Sequence, residues 1–278
     1  MNSAETASFW EANAEIWTQL VRAGYDVYRD GQNTPAFLAM LPPVAGLAGL
    51  DIGCGEGENT RRLARLGARM TAVDVAPTFI RYAQAAEAEE LLGIDYRVAD
   101  GLALPFADAS FDFATAFMSL MDMPGHAQAI GEIGRVLRPG GFLQASILHP
   151  CFCPPYRKVL REEDGAVRAI EVGRYFEATD GELESWCFRS MPEEQRSQFR
   201  PFQIPRFHRT LSGWLNLLPA AGLVLEELGE PTASDETVRA YPAMRDTQAA
   251  PLFLHFRARK PAEPLAKFLS RDARIVQD

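Results

Sequence analysis

The chain is 278 residues long, 47% hydrophobic and 23% charged, with a formal net charge of −9. That length and balance fit a globular protein of one or two domains. The acidic excess argues against a nucleic-acid partner, which needs basic patches for phosphates. No run of about 18 apolar residues offers a membrane-spanning helix, and no secretory leader is recognised, so a cytoplasmic location is expected. Cys54, Cys151, Cys153 and Cys187 lack zinc-ribbon spacing and read as reduced thiols, so no metal is expected. Arg196, Arg200, Arg206 and Arg209 cluster in sequence and read as solvated surface.

Residues 3–23 carry Phe9, Trp10, Ala14, Trp17 and Leu20 at three- and four-residue spacings, which predicts one apolar helix face. Ser8 is a candidate cap for its latter part. A looser segment with Tyr25, Tyr28 and Gly31 follows, then a helix over 35–41 with Pro35 in its first turn and Pro42-Pro43 ending it. From residue 48, apolar strands alternate with helical stretches. Strands are expected over 50–52, 69–73, 94–99, 111–117 and 142–148, and helices over 59–66, 77–92 and 126–136, with Pro139-Gly140-Gly141 as a tight turn. That alternation implies βαβ units and a parallel sheet.

The alternation stops after His149-Pro150. Residues 150–205 are rich in Pro, Gly, aromatics and mixed charge, with short strands expected at 174–176 and 185–189. So long a stretch between regular units reads as a functional lid. A helix over 209–221 and strands over 223–228 and 252–257 close the pattern; 261–278 forms a tail. The organisation is therefore a helical cap over 1–45, a sheet domain over 46–149 and 206–260, a lid over 150–205 and the tail.

The chemistry concentrates in Leu50-Asp51-Ile52-Gly53-Cys54-Gly55-Glu56-Gly57. A strand ends at a carboxylate, and three alternating glycines lead into a helix. Glycine tolerates positive φ and lets the backbone approach a ligand, and a strand–loop–helix turn presents free N–H groups at the sheet's carboxyl edge. The spacing is G-x-G-x-G, not the dinucleotide G-x-G-x-x-G, and no Lys-Ser/Thr follows as in a phosphate loop. Asp74 ends the next strand, where a carboxylate accepts from a ribose diol. The expected ligand carries a ribose and needs no pyrophosphate.

With Val73-Asp74, Asp100 followed by Leu104-Pro105-Phe106, Ser110-Phe111-Asp112, and Arg135-Val136-Leu137-Arg138-Pro139-Gly140-Gly141, the chain resembles class I S-adenosylmethionine-dependent methyltransferases of the type 11 group. The resemblance covers residues 48–148 strongly and 209–258 weakly. It implies a Rossmann-like, seven-stranded, mostly parallel sheet with helices on both faces, a final antiparallel hairpin, and S-adenosyl-L-methionine as cofactor, released as S-adenosyl-L-homocysteine. By the same resemblance, Asp51 holds the methionine ammonium. Gly53, Cys54, Gly55 and Gly57 let the backbone pass the methionyl and ribose parts, and Asp74 accepts from the ribose. Asp100 and Gly101 read the adenine edge, Val75 and Ile80 pack on its faces, and Phe117 and Met118 line the methyl-donor side.

A sulfonium methyl is already activated, so transfer needs an aligned nucleophile, excluded water and, for a protonated nucleophile, a base. His149, directly after the fifth strand, and His208, at the end of the lid, are the candidate catalytic residues. Tyr25, Tyr28, Asp122 and Tyr156 are the candidate acceptor-binding residues. The lid and aromatic helices suit a buried pocket for a small acceptor, methylated on oxygen or nitrogen, in a monomer or homodimer. The competing readings are an RNA-modifying methyltransferase and a non-catalytic S-adenosylmethionine-binding protein. A nicotinamide-dependent reductase lacks both the glycine spacing and a Tyr-x-x-x-Lys pair.

Overall fold

The computed structural model describes residues 1–163 and 165–263. In chain order the elements are α1 (Ser3–Arg22), a π-helical turn (Arg29–Asn33), α2 (Thr34–Met40), β1 (Ala48–Ile52), α3 (Glu58–Arg65), β2 (Arg69–Asp74), α4 (Pro77–Glu89), β3 (Asp95–Val98), β4 (Phe111–Phe117), a 3-10 turn (Leu120–Asp122), α5 (His126–Val136) and β5 (Leu137–Leu148). Then come β6 (Tyr156–Arg161), β7 (Val167–Gly173), β8 (Glu182–Trp186), α6 (Glu193–Gln198), β9 (Phe202–Arg206), α7 (Leu211–Leu215), α8 (Leu217–Ala220), β10 (Val224–Gly229), α9 (Asp235–Ala240), a second 3-10 segment (Pro242–Gln248) and β11 (Phe253–Arg259).

Seven strands form one sheet in the order β10-β11-β5-β4-β1-β2-β3. β1 through β5 pair in parallel, and β11 runs antiparallel to both β5 and β10. Strands buried on both faces need apolar residues at successive positions, and the sequence supplies them: Phe113 packs in one layer with Met70, Ala72 and Ile80, while Ala114 and Ala116 pack in the other with Ile130, Ile133 and Leu218. The chain leaves β1 towards β2 and β3 on one side and returns through β4 and β5 on the other. The strand order thus reverses between β1 and β4, where α/β sheets open a ligand crevice at their carboxyl ends.

Two further two-stranded sheets, β6–β7 and β8–β9, occupy the 150–205 region. α1 reaches this region through an aromatic cluster. Trp17 stacks on Trp186 at 5.2 Å between centroids and meets Phe188 and Phe202 at 5.0 Å.

Several local expectations need correction. α1 is capped by Asn2, whose side chain accepts from the Glu5 N–H in a capping box, so Ser8 lies inside the helix and bonds the Glu5 carbonyl. Pro139-Gly140-Gly141 lies within β5 as an irregular excursion: pairing jumps from Phe111–Leu137 to Phe113–Phe142. α4 ends at Glu89, because the Glu87 carboxylate accepts from the backbone N–H groups of Leu92, Gly93 and Ile94 and turns the chain. Residues 174–176 are not a strand; Arg174 has φ 58°, outside extended backbone. The 209–221 helix is divided at Asn216, three residues before Pro219, into α7 and α8. The final strands pair as expected, and α9 and the second 3-10 segment lie in the connection between them. Most of the 261–278 tail lies outside the described residues.

Candidate active site

A cavity of about 640 Å³ opens at the carboxyl ends of β1, β2 and β4, walled also by α1 and by residues of the 150–205 segment. That volume is in the range of small-molecule and cofactor sites. Gly53 and Gly55 line it at φ 70° and 56°. Their roles differ. A Cβ at Gly53 would lie 2.3 Å from the Ser119 Cβ, so glycine is needed for β4 to approach β1. A Cβ at Gly55 would meet nothing within 4 Å. The second glycine therefore leaves open cradle space beside Asp74.

Three carboxylates stand along this edge. Asp51 is buried, accepting from the hydroxyls of Thr60 at 2.5 Å and Thr115 at 2.8 Å. Burial raises its carboxyl above the ordinary range, and the two hydroxyls oppose that. Asp74 accepts from the N–H of Ala76 and of Gly55, each at 2.9 Å, so it ties the glycine loop to the end of β2. It makes no side-chain cap for α4. Burial pushes it up to about 6, against the pull of those two N–H groups. Asp100 accepts from the Leu102 N–H at 2.8 Å and from the Ser3 hydroxyl at 2.5 Å, which docks the start of α1 on the third carboxylate. An ionised carboxylate offers about four lone-pair sites, more than these two donors occupy on each of the three. The Cys54 thiol is held well above its usual pKa, first by burial and then by Asp74 and Asp51. It is a neutral thiol lining the wall, with no thiolate character.

Val75, Gly101, Phe117 and Met118 also line the cavity. Ile80 does not: it is 3% exposed in the core beneath α4, and its neighbour Phe79 takes the place on the wall expected of it. Gly57 also stands off the wall. It begins α3 at φ 85° and abuts Tyr96, whose hydroxyl would lie 2.6 Å from an added Cβ. Its glycine is required by packing.

Of the acceptor-side candidates, Tyr25, Tyr28, Asp122 and His208 line the cavity. Tyr28 donates to the Ala243 carbonyl at 2.8 Å, and Tyr25 is hydrogen-bonded to Gln195 at 3.0 Å. Tyr156 is 41% exposed on β6, bonded to Glu171, and is not on the wall. His149 is buried but also off the wall. Its Nδ1 accepts from the Cys151 N–H at 3.1 Å, which places the ring proton on Nε2, 2.7 Å from Glu230 Oε1. Both nitrogens are engaged in holding the β5 exit, so the ring has none left for an acceptor. His208 differs. Its Nε2 donates to the Tyr175 carbonyl at 2.8 Å, which leaves Nδ1 unprotonated, and burial lowers its pKa, so the ring is neutral at pH 7.

Sequence reasoning missed part of the wall. Ser3, Thr6, Ala7 and Trp10 enter from α1, Arg157 from β6 and Arg206 from β9. Asn33 is 1% exposed, and its Oδ1 is fixed by Ser146 Oγ at 3.0 Å and His255 Nε2 at 2.6 Å, so β5 and β11 together set its orientation. The α1 aromatic stripe was the one readable signal. The partners of Asn33 lie more than a hundred residues away, beyond any local pattern.

Residues 50–145 match the family model described as a methyltransferase domain. A ubiquinone biosynthesis O-methyltransferase of Xanthomonas axonopodis is 33% identical over 164 residues, covering 54% of this chain and 67% of that protein. The chain belongs to the class I S-adenosylmethionine-dependent methyltransferases. A crystal structure of such a methyltransferase from Mesorhizobium loti superposes with a TM-score of 0.66 at 28% identity, covering 81% of this chain and 96% of that one. An O-methyltransferase of Aspergillus sclerotiorum is 39% identical over 120 residues, 42% of this chain and 46% of the fungal protein. Against that protein and a Mycobacterium tuberculosis relative matched over 39% of its length, the match spans less than half of the relative. Among the described residues no helix is long and apolar enough to cross a membrane.

Proposed function

We propose that this protein transfers the methyl group of S-adenosylmethionine to an oxygen or nitrogen of a small acceptor held under the lid. The observation that carries this reading is the convergence of Asp51, the Gly53–Gly55 turn, Asp74 and Asp100 on one cavity, together with the open space beside Gly55. The donor set suits the cofactor. Asp51 is placed for an ammonium, and Asp74 offers free lone pairs to a ribose diol. Asp100 with the Gly101 amide presents an acceptor and a donor to an adenine edge, and Val75 and Phe79 offer apolar faces.

When bound, the cofactor supplies an electrophilic methyl on a sulfonium. The protein's part is then alignment and exclusion of water. α1 and the β8–β9 hairpin line the cavity, and Phe117 and Met118 face its interior from the end of β4. The unprotonated Nδ1 of His208 is available to accept a hydrogen bond from an acceptor hydroxyl or amine. A small acceptor is favoured by the cavity volume of about 640 Å³, by the acidic net charge of −9, and by relatives named as O-methyltransferases.

The test is calorimetric titration with S-adenosylmethionine, S-adenosylhomocysteine and NAD, followed by a screen of phenols, catechols and amines for S-adenosylhomocysteine release. Micromolar binding of the first two, none of NAD, and turnover of a small acceptor are expected. Binding of NAD alone would overturn the cofactor reading. Tight cofactor binding with turnover only on RNA would overturn the small-acceptor reading.

A further inference from the structure

Among the described residues on the cavity wall, Asp122 is a buried carboxylate that no contact explains. It closes the 3-10 turn after β4 and is only 7% exposed, and its carboxylate has no hydrogen-bond or ion-pair partner among the described residues. Neither carboxylate oxygen is sealed off in the interior, so the unpaired group faces the cavity, where a ligand or a proton can satisfy it.

The turn that carries it is pinned to the donor edge. Ser119 donates to the Ile52 carbonyl at 2.6 Å, and Met123 packs on Gly101, where an added Cβ would lie 3.1 Å from the Met123 Cε. Asp122 thus sits between the cofactor loops and the lid. The charged and titratable groups around it are few. Arg206 of β9 and Glu184 of β8 act on it with opposite signs and pair with each other at 2.7 Å. α5 contributes His126, which burial lowers to about 3 and keeps neutral. The adjoining half of β5, from Phe142 to Leu148, carries no ionisable residue.

We propose that Asp122 is the group that takes the proton from a hydroxyl or amine acceptor during methyl transfer, and that it becomes a carboxylate when the sulfonium donor binds. This rests on the cofactor reading above. The choice between Asp122 and His208 follows from charge. A buried carboxylate that accepts a proton becomes neutral, which burial favours; a buried imidazole that accepts one becomes a cation, which burial and the neighbouring Arg206 oppose. In the free protein burial pushes the Asp122 carboxyl up to about 8. A proton affinity near the working pH is what a general base needs. The positive charge of the bound sulfonium favours the ionised form and expels the proton to solvent. The step then balances. The nucleophile's lone pair bonds the methyl carbon, the C–S pair returns to sulfur as a neutral thioether, and the nucleophile's proton passes to Asp122. With the sulfonium charge gone, the carboxyl keeps that proton.

Calorimetry in buffers of different ionisation enthalpy tests this without any acceptor. S-adenosylmethionine and S-adenosylhomocysteine share the amino acid, ribose and adenine parts and differ at sulfur. The difference in protons they release therefore isolates groups near the sulfonium. At about pH 7.5 the wild-type protein should release on the order of half a proton more with S-adenosylmethionine than with S-adenosylhomocysteine. Asp122→Asn should abolish that difference while binding S-adenosylhomocysteine within about twofold of wild type, which also shows that the variant is folded. Equal proton release by the two ligands would overturn the proposal, as would a difference that survives in Asp122→Asn. Failure of both ligands to bind would overturn the cofactor reading itself, and the role of Asp122 with it.

Discussion

At the scale of single residues, the glycines of one loop separate space needed by the protein from space available to a ligand. Gly53→Ala puts a methyl group 2.3 Å from the Ser119 Cβ at a backbone φ of 70°. It should destabilise the fold by about 2–4 kcal/mol through overpacking and left-handed strain, read as a lower midpoint in urea. Gly55→Ala meets open space, so only the strain of φ 56° remains, on the order of 1–2 kcal/mol. Its main effect should be at least a tenfold loss of S-adenosylmethionine affinity, and equal affinity in that variant would mean that the cradle holds something else. Asp74→Ala removes both an acceptor and the tie to the Gly55 N–H. It should weaken cofactor binding by about 1–3 kcal/mol; unchanged affinity would leave Asp74 with only the task of shaping the loop.

At the scale of elements, α1 and the lid are coupled through aromatic contacts more than through hydrogen bonds. Trp17 bridges Trp186, Phe188 and Phe202, and α1 touches the sheet side through the Trp10–Phe79 contact and the Ser3–Asp100 bond. Trp17→Ala should therefore free the β8–β9 hairpin while the seven-stranded sheet holds. Limited proteolysis should cut within 182–206 several-fold faster, with S-adenosylmethionine restoring part of the protection through α1; an unchanged cleavage rate would show that the hairpin is held by its own contacts. The same elements mark what a sequence can reveal. β1, β2, β4 and β5 were readable because each carries an apolar run bounded by Gly or Asp, and Asp51, Asp74 and Asp100 were legible as a group because each falls at or just beyond the end of a strand. The lid strands were not, beyond the expectation at 185–189 that overlaps only the end of β8, because Tyr156–Arg161 and Glu182–Trp186 are largely exposed and bury no apolar face with a two-residue period. α9 carried a legible start, Ser234 capping the Thr237 N–H ahead of Asp235 and Glu236, but its six residues are too few for a helical period to register. His149 and Ile80 misled for a related reason: position in a motif fixes a residue's place along the chain, not the side of the element on which its atoms lie.

At the scale of the whole molecule, the buried titrating groups set how stability depends on pH. Asp122 is raised from 3.8 to about 8, and Asp26 and Asp74 from 3.8 to about 6. For each, the native state binds the proton more tightly than the unfolded chain. Its contribution is complete below about pH 4 and is lost as pH rises through the native value. His126 and His255 work the other way, lowered from 6.5 to about 3 and about 4 by burial. The unfolded chain takes up their protons first, so their contribution is lost as pH falls below about 6.5. The two sets oppose each other between pH 4 and 6. Between about 7 and 8 the histidines and the two lower aspartates are largely titrated, and of these groups Asp122 accounts for most of the remaining proton loss. Wild-type stability should fall across that interval at up to about 1.4 kcal/mol per pH unit, seen as a declining melting temperature in the ligand-free protein. Asp122→Asn should melt at a nearly constant temperature over the same range and exceed wild type at pH 8. A parallel decline in both proteins would assign the slope to other groups, and a flat wild-type profile would mean that Asp122 is already ionised at neutral pH, with a cation or solvent reaching it through the cavity.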